Sequence, residues 1–250
     1  EQAALQKMGT FELCPREKML ARGKKPKSVK NVYKIKTLKD GNIERFKCRM
    51  VVRGFSLHPN DEFHESYSSV MSPATMRLMA YLEVQSGEVL SSADVGNAFL
   101  EADLPDTEEI YIEIHPDAEI EGYPRKDWVF RLRKCLYGLP QSGRGFQREY
   151  NKVMHGAGFV RSKFDDCLWV KHDPIHGRIM CSNYVDDLLC LTASTHLRDW
   201  WRGLLLTRFA KVTFEDTADS MLGIRLDRGK DKHGKNYIEL SHEASIDKMA

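Results

Sequence analysis

Ile179-Met180-Cys181-Ser182-Asn183-Tyr184-Val185-Asp186-Asp187-Leu188-Leu189-Cys190-Leu191 places two adjacent carboxylates between two runs that want burial. Carboxylates in such surroundings are costly unless they are paired or bind a cation. If Asp186 and Asp187 cap the turn of a β-hairpin, they can reach water or metal while the flanks stay in a core. Adjacent side chains on a strand point to opposite faces, so Asp186 is expected to be the firmer metal ligand and Asp187 the more peripheral one. An isolated Asp-Asp pair is equally ordinary turn chemistry, hydrogen-bonding its own backbone. What separates the two readings is Asp94-Val95-Gly96-Asn97-Ala98-Phe99-Leu100, where an Asp closes an apolar strand before a small-residue turn and an aromatic. A third carboxylate from a separate strand would complete a site for two Mg²⁺ ions. Such hard cations take oxygen ligands, and a pair of them can stabilise both attacking and leaving oxygens of a phosphoryl transfer.

Outward from this hairpin, the pattern predicts strands over 167–171, 178–184 and 188–192, and an amphipathic helix over 197–208. Upstream it predicts a helix over 73–85 ended by Gly87, a strand over 89–94, a helical turn over 97–101, strands over 110–114 and 128–132, and a helix over 145–155. The N-terminal residues 1–13 read as a short helix leading into a strand, and 16–30 as a basic, irregular segment. A second hairpin is expected from strands over 31–37 and 43–52 around Lys39-Asp40-Gly41-Asn42, since Asp-Gly tolerates the positive φ of a tight turn. In it Arg45, Lys47 and Arg49 lie at spacing two and share one face. The tail should pair 221–226 with 237–240 around a turn-rich 228–235. Strands and helices that alternate this irregularly point to an α+β fold rather than a doubly wound sheet.

The 250 residues are 42% hydrophobic and 30% charged, enough to bury a core. The net charge of +2 conceals an asymmetry. Between Arg16 and Arg53 there are 14 Lys/Arg against 3 Asp/Glu, whereas Gly54–Asp127 holds 3 basic against 16 acidic residues. Such a distribution suits a polyanion-binding surface next to a cation site, or two faces that pair with each other. The six cysteines include no C-x-x-C pair and read as reduced thiols, not as a disulfide framework or zinc site. No apolar run approaches the roughly 18 residues of a membrane span, and no signal peptide is visible. The start at Glu1 rather than Met suggests a piece of something longer, which a polyprotein or a trimmed chain explains equally well.

In this order and spacing, the chain resembles the reverse transcriptases of Ty1/copia-type retrotransposons. The resemblance runs through Leu5–Pro15 (LQKMGTFELCP), Glu44–Gly54 (ERFKCRMVVRG), Asp94–Leu104 (DVGNAFLEADL), Leu136–Ser142 (LYGLPQS), Asp165–Leu168 (DDCL), Tyr184–Asp187 (YVDD) and Leu222-Gly223. It implies a right-hand polymerase fold, with an antiparallel palm sheet carrying helices on one face. Fingers would occupy mainly 1–90, with the basic segment at their N-terminus, and palm mainly 91–220. Residues 221–250 would form a hairpin and helix leading to a thumb or connection region.

The resemblance further implies RNA-directed DNA polymerase activity, with Asp94, Asp186 and Asp187 as catalytic and metal-binding carboxylates for two Mg²⁺ ions that Mn²⁺ can replace. Arg45, Lys47 and Arg49 would meet the triphosphate of a dNTP, together with Ala98, Phe99 and Gln141. Phe99 would exclude a 2′-hydroxyl by its bulk. Tyr184, Arg131, Arg133, Lys134 and Arg144, with basic residues of the 16–39 segment, would contact an RNA or DNA template–primer. The parent would be a Pol polyprotein with RNase H and integrase, acting in cytoplasmic virus-like particles and then the nucleus, without a membrane partner. The sequence departs from the family pattern at Ser69, Ser56–Asn60, Gly143, Phe146, His242 and Ser245. None is an expected metal ligand, but together they motivate an alternative: a catalytically decayed copy that only binds nucleic acid.

Overall fold

The computed structural model describes residues 2–37, 42–117 and 120–242. In chain order, helix α1 (Gln2–Lys7), strand β1 (Phe11–Pro15) and helix α2 (Arg16–Ala21) precede strands β2 (Val29–Thr37) and β3 (Ile43–Val52). Helix α3 (Pro73–Ser86) leads to β4 (Val89–Val95), a 3-10 turn (Ala98–Glu101), β5 (Tyr111–Ile112) and β6 (Trp128–Leu132). Helix α4 (Ser142–Gly156) is followed by β7 (Val160–Arg161), β8 (Leu168–Asp173), β9 (Gly177–Tyr184) and β10 (Asp187–Thr192). Helix α5 (Thr195–Arg208) and strands β11 (Val212–Glu215), β12 (Ser220–Met221), β13 (Ile224–Lys230) and β14 (Asn236–Ser241) complete the described chain. Every pair of these strands is antiparallel, as the α+β reading expects.

The elements form two compact units, each from two stretches: Glu1–Ser68 with Phe99–Glu149, and Ser69–Ala98 with Tyr150–Ala250. A chain that crosses between units at 68/69, 98/99 and 149/150 leaves no linker-like composition to mark the crossings.

The first unit is built on the sheet β1-β6-β5. Alternate residues of β1 and β6 turn inward, so that Phe11 meets Phe130 at 4.0 Å between ring centroids and joins Leu132, Ile112 and Leu136 in one core. From this core stands the ribbon β2-β3. Its base is buried through Met50 and Val52, whereas its outer residues are exposed on both faces. Two glycines clasp that base. A Cβ on Gly54 would lie 1.9 Å from the Gly138 carbonyl oxygen, and one on Gly138 would lie 2.0 Å from that of Val52. Gly138 also has φ +90, a region side chains rarely enter. Val52 N–H donates to the Tyr137 carbonyl at 2.8 Å, closing the contact.

Part of the charge asymmetry is consumed inside this unit. Arg16 binds both Glu113 oxygens, Arg22 pairs with Glu109, and the buried Lys27 meets Glu62 at 2.8 Å. The basic segment is also less irregular than expected, since 16–21 forms α2. Gly23 and Pro26, which disfavour a helix, lie beyond its end. The turn expected at 39–42 falls largely outside the described residues, as do Ser245 and the expected C-terminal helix.

The second unit carries the six-stranded sheet β11-β4-β10-β9-β8-β7 and the three-stranded sheet β12-β13-β14. Met76 and Met79 of α3 share a core with Leu90, Met180, Leu189 and Leu191. Ser72 caps α3 by accepting from Thr75 N–H, and Gly87 ends the helix in the left-handed region. Asp165 accepts from Ser72 N–H, Thr75 Oγ1 and Cys167 N–H, tying its loop to the helix start. Burial alone would raise its carboxyl, but these hydrogen bonds outweigh burial and hold it below the ordinary range.

The pattern did not predict β11, a four-residue strand whose ladder exists only through its pairing with β4. Nor did it extend β13 through Arg228–Lys230, where pairing with Tyr237 and Asn236 continues the strand. Helix α4 begins at Ser142, three residues before the predicted start. All six cysteines are free, and no described helix is long and apolar enough to cross a membrane.

Candidate active site

The acidic tetrapeptide forms a two-residue hairpin turn. Tyr184 pairs with Asp187 across the ladder, leaving Val185 and Asp186 at the tip. Val185 has φ 53, an unusual conformation for a β-branched residue and one that concentrates at functional sites. Strand β10 also pairs with β4 in a register that sets Asp187 directly opposite Asp94. On the other side of β4, Thr213 of β11 is the partner of Asp94. Asp187, Asp94 and Thr213 thus form one row across three strands. Asp186 is tied to the same place by its carbonyl, which accepts from Val95 N–H at 3.0 Å.

The turn consumes Val185 and Asp186, so Asp187 is the first ladder residue and the one that faces Asp94. Asp94 and Asp187 line a cleft of about 280 Å³ with Thr213, Glu215, Met221 and Gly223. Glu215 accepts from Ser92 Oγ at 2.9 Å. Crowding by protein atoms raises the Asp187 carboxyl to about 6, and the charges of Asp186 and then Asp94 push it the same way. Its surface remains open to solvent, so this repulsion is partly screened.

Among the described residues no group of three His, Cys, Asp or Glu side chains closes into a ready-made metal cage. The residues nonetheless suit a hard divalent cation. Their donors are carboxylate oxygens, and mutual repulsion on Asp187 is what a bound cation relieves.

The expected nucleotide contacts belong largely to the first unit. Arg45, Lys47 and Arg49 of β3 share a face, and their cross-strand partners are Lys36, Lys34 and Val32. Like charges directly opposite destabilise a ribbon unless an anion binds. The Arg49 guanidinium lies 5.2 Å from the centroid of the Tyr137 ring, and its buried Nε makes no hydrogen bond among the described residues. Phe99 meets the same ring edge-on at 5.4 Å. Tyr137, which the sequence did not single out, thus joins two residues that it did. Only tertiary structure could reveal that role, although the tyrosine sits inside LYGLPQS.

Ala98 is buried at the start of its 3-10 turn. Gln141 is 4% exposed, donates to Glu108 at 3.0 Å and leaves its Oε1 without a hydrogen-bond partner among the described residues.

Of the expected template–primer contacts, Tyr184 is half-buried opposite Asp187. Arg131 pairs with Glu109 at 2.9 Å and Arg133 with Glu12 at 2.7 Å, while Arg144 pairs with Glu65. Lys134 bridges Asp103 through its backbone. A nucleic-acid backbone would have to compete with carboxylates for these three arginines.

Residues 17–247 match the family described as reverse transcriptase (RNA-dependent DNA polymerase). The chain belongs to that family. It is 30% identical over 249 residues to the retrovirus-related Pol polyprotein from transposon TNT 1-94 of Nicotiana tabacum, covering all of this chain and 18% of that protein. It is 33% identical over 179 residues, 71% of this chain and 12% of the relative, to the Pol polyprotein from transposon RE2 of Arabidopsis thaliana. The transposon RE1 polyprotein of the same plant is 32% identical over 155 residues, covering 60% of this chain and 10% of that protein. The chain therefore spans less than a fifth of the length of these curated relatives. The resemblance to transposon reverse transcriptases read from the motifs is borne out by all four matches.

Proposed function

We propose that this reverse transcriptase chain extends a primer on an RNA template by transferring nucleotides from dNTPs. The observation that carries the reading is the row of Asp187 opposite Asp94, with Asp186 held at the hairpin tip beside it. In this reading the second unit serves as palm and the β2-β3 ribbon as fingers, with 221–242 leading toward a thumb or connection region. Asp94, Asp186 and Asp187 would hold two Mg²⁺ ions. Such ions, when bound, lower the pKa of an attacking hydroxyl and neutralise charge developing on a triphosphate.

The primer 3′-oxygen forms a bond to the α-phosphorus, the bond to pyrophosphate breaks, and the hydroxyl proton leaves to solvent. Arg49, Lys47 and Arg45 neutralise the triphosphate, with the arginine fork suited to two phosphate oxygens. The charge is balanced by fixed groups, so positioning and electrostatics supply most of the acceleration. Tyr137 holds Phe99 and Arg49 in fixed relation, which lets Phe99 exclude a 2′-hydroxyl by bulk. The role in the parent element, with RNase H, integrase and the particle-to-nucleus route, follows from the same reading.

The test is dNTP incorporation on a primed homopolymer RNA with Mg²⁺, comparing the chain with Asp186→Asn. Removing a group that acts electrostatically at a reacting centre costs on the order of 10²–10³ in rate. Incorporation at the same rate in a folded Asp186→Asn variant overturns the assignment. Tight primer–template binding with no incorporation in Mg²⁺ or Mn²⁺ would establish the decayed copy instead, and extension on DNA but not RNA templates a DNA-templated enzyme. In the same assay Phe99→Ala should admit ribonucleotides. Unchanged rNTP discrimination would make Phe99 a packing residue for Tyr137 alone.

A further inference from the structure

Below its acidic turn, the β9-β10 hairpin holds two thiols that the proposed reaction does not use. The ladder sets Cys190 directly opposite Cys181, both are fully buried, and a hydrogen bond links their thiols. Both are free cysteines. Met180, Leu189 and Leu191 belong to the core shared with α3, so side-chain alternation sends Cys181 and Cys190 to the other face of the sheet. Among the described residues no other two cysteines are ladder partners, since Cys14 stands opposite Val129 and Cys48 opposite Tyr33.

The register also decides how close the two sulfurs can come. A two-residue turn makes Tyr184 and Asp187 a hydrogen-bonded pair, and the two kinds of pair alternate along an antiparallel ladder. Counting back from the turn, Cys181 and Cys190 form a non-hydrogen-bonded pair, with Cα atoms about 4.5 Å apart and side chains drawn together. That is the short end of the roughly 4.4–6.8 Å that a disulfide spans. A bond closed there is tight, and tight disulfides are the readily reduced ones. It would also pull on the strands that carry the acids. Cys190 follows Asp187 on β10, and its carbonyl accepts from Ser91 Oγ at 3.2 Å, on the strand that carries Asp94.

Burial pushes the Cys181 thiol well above its ordinary range, which keeps it protonated and slow to react. A small, uncharged oxidant suits such a place. Asn183, on the same strand face as Cys181, is 1% exposed, and neither of its amide atoms has a hydrogen-bond partner among the described residues. A buried amide calls for a small partner that both donates and accepts, and hydrogen peroxide does both.

We propose that Cys181 and Cys190 are a peroxide-sensitive pair that closes into a cross-strand disulfide and thereby shifts the row of Asp94 and Asp187 out of its working geometry. Peroxide oxidises one thiol to a sulfenic acid, its O–O bond breaking and one water leaving. The second sulfur then attacks the first, the S–S bond forms and a second water leaves. The two sulfurs are oxidised and the peroxide is reduced to two waters. The consequence for polymerisation rests on the reverse-transcriptase reading, whereas the bond itself does not.

The test treats the folded chain with hydrogen peroxide, removes the oxidant with catalase, blocks the remaining thiols and maps disulfides by mass spectrometry without reduction. A peptide joining Cys181 to Cys190 is expected, forming on the order of minutes to hours. Incorporation of dNTPs should fall roughly tenfold or more in step with it and return on adding dithiothreitol. Deuterium exchange of the Val95 amide, which donates to the Asp186 carbonyl, should quicken in the oxidised chain whether or not the chain polymerises. Cys190→Ala should incorporate dNTPs normally and keep doing so after peroxide. Mapping and exchange use the chain without substitutions, so they decide the matter even if that variant does not fold.

Thiols at 181 and 190 that stay free while Cys14 and Cys48 are oxidised overturn the proposal, as does a loss of incorporation that Cys190→Ala shares. A mapped bond with unchanged Val95 exchange and unchanged incorporation overturns it too, because the pair then switches nothing. If the untreated chain incorporates no dNTPs, the polymerase reading falls, while the mapped bond and the quickened exchange still uphold this one.

Discussion

Two hairpins carry the charges of the proposed site, and they are held in place by opposite means. The acidic β9-β10 hairpin sits inside a six-stranded sheet with β8 on one side and β4 on the other, and its flanking residues Leu188–Leu191 are fully buried. Among the described residues the basic β2-β3 ribbon has no neighbouring strand, and its buried anchor is at its base. A group whose position must be fixed to fractions of an ångström profits from the first arrangement. A group that has to accept and release a mobile polyanion profits from the second, because little packing covers the described outer residues of the ribbon. The difference teaches that the two charge clusters divide the labour: the acids are set by the fold, and the bases are presented by it.

That division can be broken most severely at the ribbon's anchor. Gly138→Ala forces a Cβ against the Val52 carbonyl and should cost roughly 2–4 kcal/mol of stability. Chemical denaturation monitored by tryptophan fluorescence would show this, and a loss under 0.5 kcal/mol would mean that the clasp yields easily.

A smaller effect is expected from Arg49→Ala, which removes the guanidinium stacked on Tyr137. If the ribbon presents charge to the triphosphate, KM for dNTP should rise about 10- to 100-fold, the scale of a lost charge-assisted contact. Steady-state incorporation kinetics would test this, with a fall in kcat at constant KM contradicting a binding role. The smallest effect concerns the acids. The folded chain holds the Asp187 proton more tightly than the unfolded chain does, since its carboxyl is raised to about 6. This group therefore penalises folding increasingly as pH rises from about 4 through 6, and fully above that. In metal-free buffer at pH 7.5, Asp187→Asn should melt slightly higher than the unsubstituted chain, and the gain should vanish near pH 4. A lower melting temperature at pH 7.5 would show that the charge is already compensated.

Much of both hairpins was legible in the sequence, for the same reason in each. Alternating or continuously apolar runs around a polar turn are a local signal, and Ile179–Leu191 and Asn31–Val52 supply it undiluted. The row that matters was less legible. That Asp187 rather than Asp186 is the ladder partner of Asp94 depends on how many residues the turn consumes, which Tyr184-Val185-Asp186-Asp187 does not state. Strand β11, which sets Thr213 beside Asp94, is four residues long and owes its existence to β4. The partners of Arg131, Arg133 and Arg144 lie at Glu109, Glu12 and Glu65, so distant in sequence that charge counting sees a basic surface where the fold has ion pairs. Tyr137 falls in the same class. Its aromaticity was visible, but its place between Phe99 and Arg49 belongs to the tertiary structure.

The Gly54–Gly138 clasp carries one more implication. Most contacts in the molecule are made by side chains, and a side chain can be exchanged for another of similar volume at modest cost. The clasp is made by backbone against backbone, with no space for any side chain at either position. The sequence can therefore drift widely across its surfaces and cores while the ribbon keeps its posture. A single base change at either glycine codon has no such latitude, and it would unseat the β2-β3 ribbon while leaving all three acidic residues untouched.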